Sequence, residues 1–94
     1  MIIRIVKMQF KEEYIPAFHQ LFHERKDQIS SFEGCKKVDL LQDTEDPRIH
    51  FTYSHWTDEQ ALATYRASAF FEDTWKKTKA LFENKAEAWS TSIK

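Results

Sequence analysis

Hydrophobic and polar residues alternate along four stretches of the chain. Alternation with a period of two is typical of a β-strand, because successive side chains point to opposite faces of a sheet. The pattern predicts strands over Ile2–Phe10, Cys35–Gln42, Arg48–Trp56 and Lys85–Ile93. Both faces of the first strand begin with apolar residues, so we expect both faces of the predicted sheet to be covered.

Apolar residues recur every three or four positions in the intervening stretches, which predicts amphipathic helices. The first helix is predicted over Lys11–Ser30, and the only glycine, Gly34, follows its end, where a positive φ is useful. A second helical region follows the third strand, with Thr57 as the predicted N-cap of a capping box. The apolar stripe changes phase near Ser68, and a further helix is predicted to stop at Asn84.

The predicted order is β-α-β-β-α-β, with a broken second helix, in a single domain of residues 1–94. This order is that of the α+β ferredoxin-like fold, a four-stranded antiparallel sheet with its helices on one face. The lysines of the second strand favour an edge position for it. A second copy of the chain is the expected cover for the other face.

The composition excludes several classes of function. The net charge is −1 and the pI is near 6.4, so no basic excess exists for nucleic acid. A single glycine excludes a glycine-rich phosphate loop. The opening residues are too charged for a signal peptide, and no stretch is long enough for a membrane span. With one cysteine, Cys35, expected to be a structural thiol, we predict a cytoplasmic protein.

Three residues are candidates for a ligand pocket. Tyr65 and Trp75 lie on helix faces that point toward the predicted sheet, where they fill the core or wall an apolar pocket. Arg4 lies among apolar residues of the first strand, and a buried guanidinium requires a partner. That partner is either an internal Asp or Glu, or an anionic or oxygen-rich ligand.

The four histidines form two pairs. His19 and His23 have the spacing of two metal ligands on one helix, but no third ligand is evident, and a solvated helix face is the favoured alternative. We therefore predict no metal site. His50 and His55 have opposite parity on the third strand, so only one of them can face a pocket and transfer a proton there. A hydrogen-bonded structural role is the alternative for each.

Several short segments resemble the antibiotic-biosynthesis-monooxygenase-type domains, which are dimeric α/β barrels. These segments are the strand end Ser54-His55-Trp56, the cap Thr57-Asp58-Glu59-Gln60, the helix Ala61–Arg66, the break Ser68-Ala69-Phe70 and the turn Phe32-Glu33-Gly34. The resemblance extends over nearly the whole chain. It implies a homodimer with two sheets packed face to face and a pocket in each subunit between sheet and helices.

Two branches of that family imply different chemistry. The haem-degrading branch uses an Asn on the first strand, a Trp on the middle helix and a His on the next helix. Arg4, Tyr65 and Trp75 stand at the aligned positions, so haem ligation of that kind is not expected. The other branch oxidises polyketide-like phenols without metal or flavin, using Tyr, Trp and Asn residues of its pocket. The resemblance implies that Trp56, Tyr65 and Trp75 serve a similar pocket here.

Two main hypotheses follow for the function. The first is a homodimeric, cofactor-independent monooxygenase that acts on an aromatic or polycyclic small molecule. Its expected site residues are Arg4, Trp56 and Trp75 for substrate binding, and His50, His55 and Tyr65 for catalysis. The second is a non-catalytic dimeric module that binds a small molecule or serves a stress response. An isomerase or mutarotase on a related barrel is a third alternative.

Overall fold

In the computed structural model, which describes residues 1–94, four antiparallel strands form one sheet with three α-helices against one face. The elements are β1 (Ile2–Phe10), a 3-10 turn (Glu12–Tyr14), α1 (Ile15–Ser30), β2 (Cys35–Gln42), β3 (Ile49–Trp56), α2 (Glu59–Arg66), α3 (Ala69–Lys79) and β4 (Phe82–Thr91). The strand order is β2-β3-β1-β4, so β2 lies at an edge as predicted. The predicted ferredoxin-like α+β fold is confirmed.

Several element boundaries differ from the predictions, and two of the differences are small: β3 begins at Ile49 rather than Arg48, and β4 ends at Thr91 rather than Ile93. The last helix ends before Asn84, and β4 already begins at Phe82. Phe82 pairs with Phe10 of β1, and the centroids of their rings lie 5.4 Å apart. This aromatic contact stabilises residues 82–84 as part of β4 rather than as the end of the helix. The first helix begins with a 3-10 turn, and Pro16 lies in the first turn of α1, where its missing N–H is tolerated.

Side-chain caps produce the break between α2 and α3. The N-cap of α2 is Asp58 rather than the predicted Thr57, because the Asp58 carboxylate accepts a hydrogen bond from the Ala61 N–H at 2.8 Å. A carboxylate there also interacts favourably with the positive end of the helix dipole. Ser68 is the N-cap of α3, and its hydroxyl accepts from the Phe71 N–H at 3.1 Å. The predicted break near Ser68 is confirmed.

Gly34 joins α1 to β2 in the left-handed region, with φ of +85°. A Cβ at this position would collide with the Cβ of Ala61 and would lie 2.8 Å from Oγ1 of Thr57. Its carbonyl accepts a hydrogen bond from the Thr57 N–H at 2.8 Å. Glycine is therefore required for conformation and for close approach, and the turn holds the start of α2 against the end of the sheet.

The face of the sheet away from the helices is also apolar. Ile5 on β1 pairs with Tyr53 of β3 and with Trp89 of β4, and Trp89 is 45% exposed. Leu41 pairs with Phe51 at the β2 edge of the same face and is also exposed. We call this face the outer face, and the face beneath the helices the inner face. None of the helices has the length and apolarity needed to cross a membrane.

Candidate functional site

A cavity of about 320 Å³ lies between the inner face of the sheet and the helices. Fourteen of its 21 lining residues are hydrophobic, so it suits a ligand with an apolar body. Small-molecule sites usually measure roughly 300–1,000 Å³, so this cavity is at the small end of that range. Four of the residues selected from the sequence line it: Arg4, Trp56, Tyr65 and Trp75.

Trp56 and Tyr65 form one wall of the cavity. Their rings are stacked, with centroids 4.9 Å apart and planes at 28°. Trp56 is only 1% exposed, and its indole N–H donates to the hydroxyl of Ser54 at 3.0 Å. The indole N–H is therefore used within the protein, and the buried Trp56 ring supports Tyr65 from behind rather than binding a ligand through its N–H.

The phenol of Tyr65 is buried among aromatic rings. Edge contacts with Phe32 and Phe71, at centroid distances of 4.9 and 5.1 Å, hold the ring in place. Burial, with a smaller contribution from the thiol of Cys35, raises the pKa of Tyr65, and no hydrogen bond opposes this shift. The hydroxyl therefore stays protonated and can donate a hydrogen bond to a ligand oxygen in the cavity.

Trp75 on α3 forms part of another wall. Its ring stacks on Phe71 at a centroid distance of 6.1 Å and meets the edge of Phe82 at 5.6 Å. Trp75 is half-buried, so part of its surface is left for a ligand. The stripe that predicted Trp75 on the sheet-facing side of the helix thus brings it to the same cavity as Tyr65.

Arg4 points to the inner face and reaches the cavity from β1. It pairs along the sheet with Ser54 and Ser90, and its Nη1 donates to the Ser90 hydroxyl at 3.0 Å. The ion pairs of the structure involve other residues, so the expected alternative of an internal Asp or Glu partner is not observed. Burial lowers the pKa of Arg4, and the positive charge of Arg66 lowers it further.

Two arginines that the sequence analysis did not select as site residues also line the cavity, Arg25 and Arg66. Arg25 Nη1 donates to the Asp73 carboxylate at 2.8 Å and to the Thr74 hydroxyl at 2.7 Å, so its charge is compensated. Arg66 belongs to no ion pair. It lies four residues after the buried Leu62 and therefore on the same side of α2. This spacing in the sequence could have identified Arg66 as a residue that faces the cavity.

The cavity opens along β4. Ala86, Ala88 and Ser90 belong to the inner-face series of this strand, yet Ala88 and Ser90 are exposed. Because β4 is an edge strand, the helices do not cover this part of it. We define the mouth of the cavity as the region bounded by Ala88, Ser90, Arg4 and Arg66.

His50 does not line this cavity, although it is fully buried on the inner face. Its Nε2 lies 2.8 Å from Nε2 of His19, and both residues line a separate hollow of about 170 Å³ with His23. Burial lowers the pKa of His50. Because His19 contacts His50 and is only partly exposed, the solvated position expected for it is wrong. His23 is exposed, as expected. The structure contains no group of three or more potential metal-ligating side chains.

His55 lies on the outer face, on the other side of the sheet from the cavity. Its ring meets the edge of Tyr53 at a centroid distance of 4.9 Å. Its Nε2 is buried and has no hydrogen-bond partner. The opposite parity expected for His50 and His55 is observed, and the structure brings neither imidazole to the cavity.

The cavity lining does not suit haem ligation by histidine. It contains no His, Cys, Asp or Glu, so an imidazole or thiolate ligand to iron would have to come from elsewhere. Trp75 has no basic nitrogen, and the raised pKa of Tyr65 disfavours a phenolate ligand.

The fold and the cavity together define a class of protein, a small α+β domain of ferredoxin-like topology that encloses an apolar cavity beneath its helices. The family model described as antibiotic biosynthesis monooxygenase matches residues 1–77. The chain belongs to this family, as its resemblance in sequence predicted.

Solved structures share this fold over nearly the whole chain. A conserved protein from Methanosarcina mazei Go1 is 25% identical, with a TM-score of 0.93 over 100% of this chain and 94% of its own. An antibiotic biosynthesis monooxygenase is 22% identical, with a TM-score of 0.91 over 99% and 98%. The N63A mutant of SnoaB, a cofactor-independent oxygenase from Streptomyces nogalater, is 15% identical, with a TM-score of 0.88 over 98% and 91%. No curated protein sequence matches the chain.

Proposed function

We propose that this protein is a cofactor-independent monooxygenase that acts on an aromatic or polycyclic small molecule. The observation that carries the proposal is the cavity, in which the half-buried ring of Trp75 lies together with the phenol of Tyr65 and the guanidinium of Arg4 in a largely apolar lining. Membership of the antibiotic biosynthesis monooxygenase family supports it. The shared fold with a cofactor-independent oxygenase agrees with it.

The reaction can be balanced with dioxygen alone. In an anthrone-type substrate, a CH₂ group beside the aromatic rings gives one proton to a water molecule and becomes an enolate. The enolate carbon donates its electrons to dioxygen, and the peroxide that forms takes up a proton. Loss of water then leaves a carbonyl group, so one oxygen atom enters the product, the other enters water, and no external reductant is used.

In this proposal, each cavity residue has a separate role in the reaction. Tyr65 donates a hydrogen bond to the oxygen on which the enolate charge develops, since its phenol stays protonated. Arg4 holds a substrate oxygen at the mouth, and its positive charge lowers the pKa of the substrate. Trp75 orients the ring system of the substrate, and Trp56 holds the Tyr65 ring in place. His50 and His55 lie outside the cavity, so this proposal assigns proton transfer to neither of them.

Oxygen consumption with a library of anthrones and hydroquinones tests the proposal. We expect uptake after treatment with a chelator and without added flavin, and one labelled oxygen atom in the product formed under ¹⁸O₂. A variant at an exposed position outside the cavity, Glu13→Gln, should consume oxygen at the unchanged rate. No uptake with any of these substrates would reject the oxygenase.

A non-catalytic binding module is the second candidate, and one observation favours it. The lining contains no His, Asp or Glu, and burial raises the pKa of Tyr65, so no side chain there is suited to accept a proton near neutral pH. A module of this kind would release its aromatic ligand unchanged after incubation under oxygen. Recovery of the intact ligand by mass spectrometry would select it over the oxygenase.

We also propose that the protein is a homodimer in which a second copy covers the outer face. Three observations support this arrangement: the exposed ring of Trp89, the apolar pairs that Ile5 makes across the sheet, and the unpaired buried Nε2 of His55.

We propose a cytoplasmic location for the protein. The free thiol of Cys35 supports this location, since burial raises its pKa and it pairs with no second cysteine.

A further inference from the structure

We propose that Arg4 and Arg66 form an anion-binding subsite at the mouth of the cavity, and that the natural ligand is an aromatic carboxylate. The inference rests on the proposed function in one respect, because it uses the same cavity for the ligand. It adds the chemical group by which the ligand is selected. It also holds if the protein binds its ligand without turnover.

The two guanidinium groups approach the mouth from different elements. Arg4 lies on β1 in the floor of the cavity, whereas Arg66 lies in the last turn of α2 above it. Arg4 donates one hydrogen bond, to the neutral hydroxyl of Ser90 at 3.0 Å. A guanidinium has five N–H donors in a planar fork, so donors remain for the two oxygens of a carboxylate.

The charges at the mouth are not compensated within the chain. The lining has three arginines and no acidic residue, and only Arg25 has a carboxylate partner. Burial lowers the pKa of Arg4, and the positive charge of Arg66 lowers it further, so the two guanidinium groups repel each other. Two cations that line one cavity favour an anion there, since its binding offsets their repulsion and the partial burial of Arg4.

The remainder of the cavity determines the shape and polarity of the rest of the ligand. Beyond the mouth, the aromatic side chains of Trp56, Phe71 and Trp75 leave a largely apolar space. A carboxylate at the mouth therefore requires a flat apolar group behind it. One carboxylate compensates one of the two positive charges, and the charge that remains still favours the enolate of the proposed reaction.

A matched pair of fluorescent probes tests the subsite, 2-anthracenecarboxylate and 2-anthracenecarboxamide. They share their ring system and differ in charge. In fluorescence titrations of the full chain, we expect the carboxylate to bind at least about tenfold more tightly than the amide. Added salt should weaken the carboxylate and leave the amide unchanged, because only the former depends on charge.

Variants test which residues produce the preference for the carboxylate probe. We expect Arg4→Gln and Arg66→Gln each to weaken the carboxylate about five- to tenfold and to leave the amide unchanged. Lys79→Gln removes an exposed charge on α3 outside the mouth and should change neither affinity. Trp75→Ala should weaken both probes, which shows that they occupy the cavity. If Arg4→Gln does not fold, the exposed Arg66 decides the result alone.

Several outcomes would overturn the subsite. They are equal affinities for the two probes, equal losses for both probes in the arginine variants, a matching loss in Lys79→Gln, or no binding of the carboxylate up to about 1 mM. The oxygenase is judged separately. Carboxylate preference without oxygen uptake would retain the subsite and reject the oxygenase. Oxygen uptake with neutral anthrones, without any preference for the carboxylate probe, would retain the oxygenase and reject the subsite.

Discussion

The side chain of Tyr65 packs in the core and also reaches the cavity. Its ring is 8% exposed and lies against Trp56 and Phe32, which explains its place in an apolar helix stripe. Its hydroxyl adds a single polar group to the wall. Filling the core and lining a pocket were alternatives at the level of the sequence, and in the structure one residue does both.

Replacing Tyr65 by Phe separates these two roles. We expect the free energy of unfolding to change by less than about 1 kcal/mol, because the ring and its contacts remain. If the phenol donates to the substrate oxyanion, kcat should fall by about 10²–10³. Thermal unfolding and oxygen-uptake rates measure the two effects. The control Tyr14→Phe, at an exposed tyrosine, should change neither, and full activity in Tyr65→Phe would exclude the hydrogen bond.

The buried imidazole of His50 makes stability depend on pH. Burial lowers the folded-state pKa of His50, so the unfolded chain binds more protons than the folded chain just below the ordinary His pKa of about 6.5. Stability should therefore be full above that pH and fall as the pH drops through the lowered pKa of His50. Melting curves from pH 8 to 5 test this, and His50→Gln should flatten the profile. The exposed His23→Gln should leave it unchanged.

At the scale of elements, the alternation of apolar and polar residues and the capping residues predicted most of the fold. The end of β3 at Trp56 and the break at Ser68 follow directly from residues with short-range preferences. The boundary between α3 and β4 depends on the distant contact between Phe82 and Phe10, which a local pattern does not contain. Arg66 was missed for a similar reason, since its role depends on the sheet strand that lies opposite it.

The turn at Gly34 is the element whose conformation depends most on one residue. We expect Gly34→Ala to reduce the free energy of unfolding by about 1–3 kcal/mol, through the positive φ and the collision with Ala61. Urea denaturation measures the loss. The double variant Gly34→Ala/Ala61→Gly should recover only part of it, because the collision is relieved and the positive φ remains. No loss in the single variant would contradict this account.

For the whole molecule, the proposed second copy explains why the outer face carries aromatic side chains. Trp89 is 45% exposed and lies next to Ile5 on the outer face, which also carries His55 with its unpaired Nε2. A small domain that leaves such a face in water gains little stability from its one-sided core. A second copy would bury this surface on both chains at once.

Trp89→Glu tests this association. We expect the parent chain to sediment as a dimer at about 1 µM and the variant as a monomer with a lower Tm, because a carboxylate would have to be buried in the interface. Sedimentation velocity and thermal unfolding measure the change. Tyr14→Glu places the same charge at an exposed aromatic residue on the helix side and should remain dimeric. A monomeric parent chain would exclude the dimer.

The small side chains along β4 have a consequence for ligand size. Ala88 lines the mouth of the cavity from a strand that the helices leave partly open, and its side chain is exposed, so the packing of the core does not depend on its volume. A larger aliphatic side chain at this position would narrow the mouth and leave the aromatic walls behind it unchanged. The size of one residue outside the core therefore sets an upper limit on the molecules that can enter the cavity.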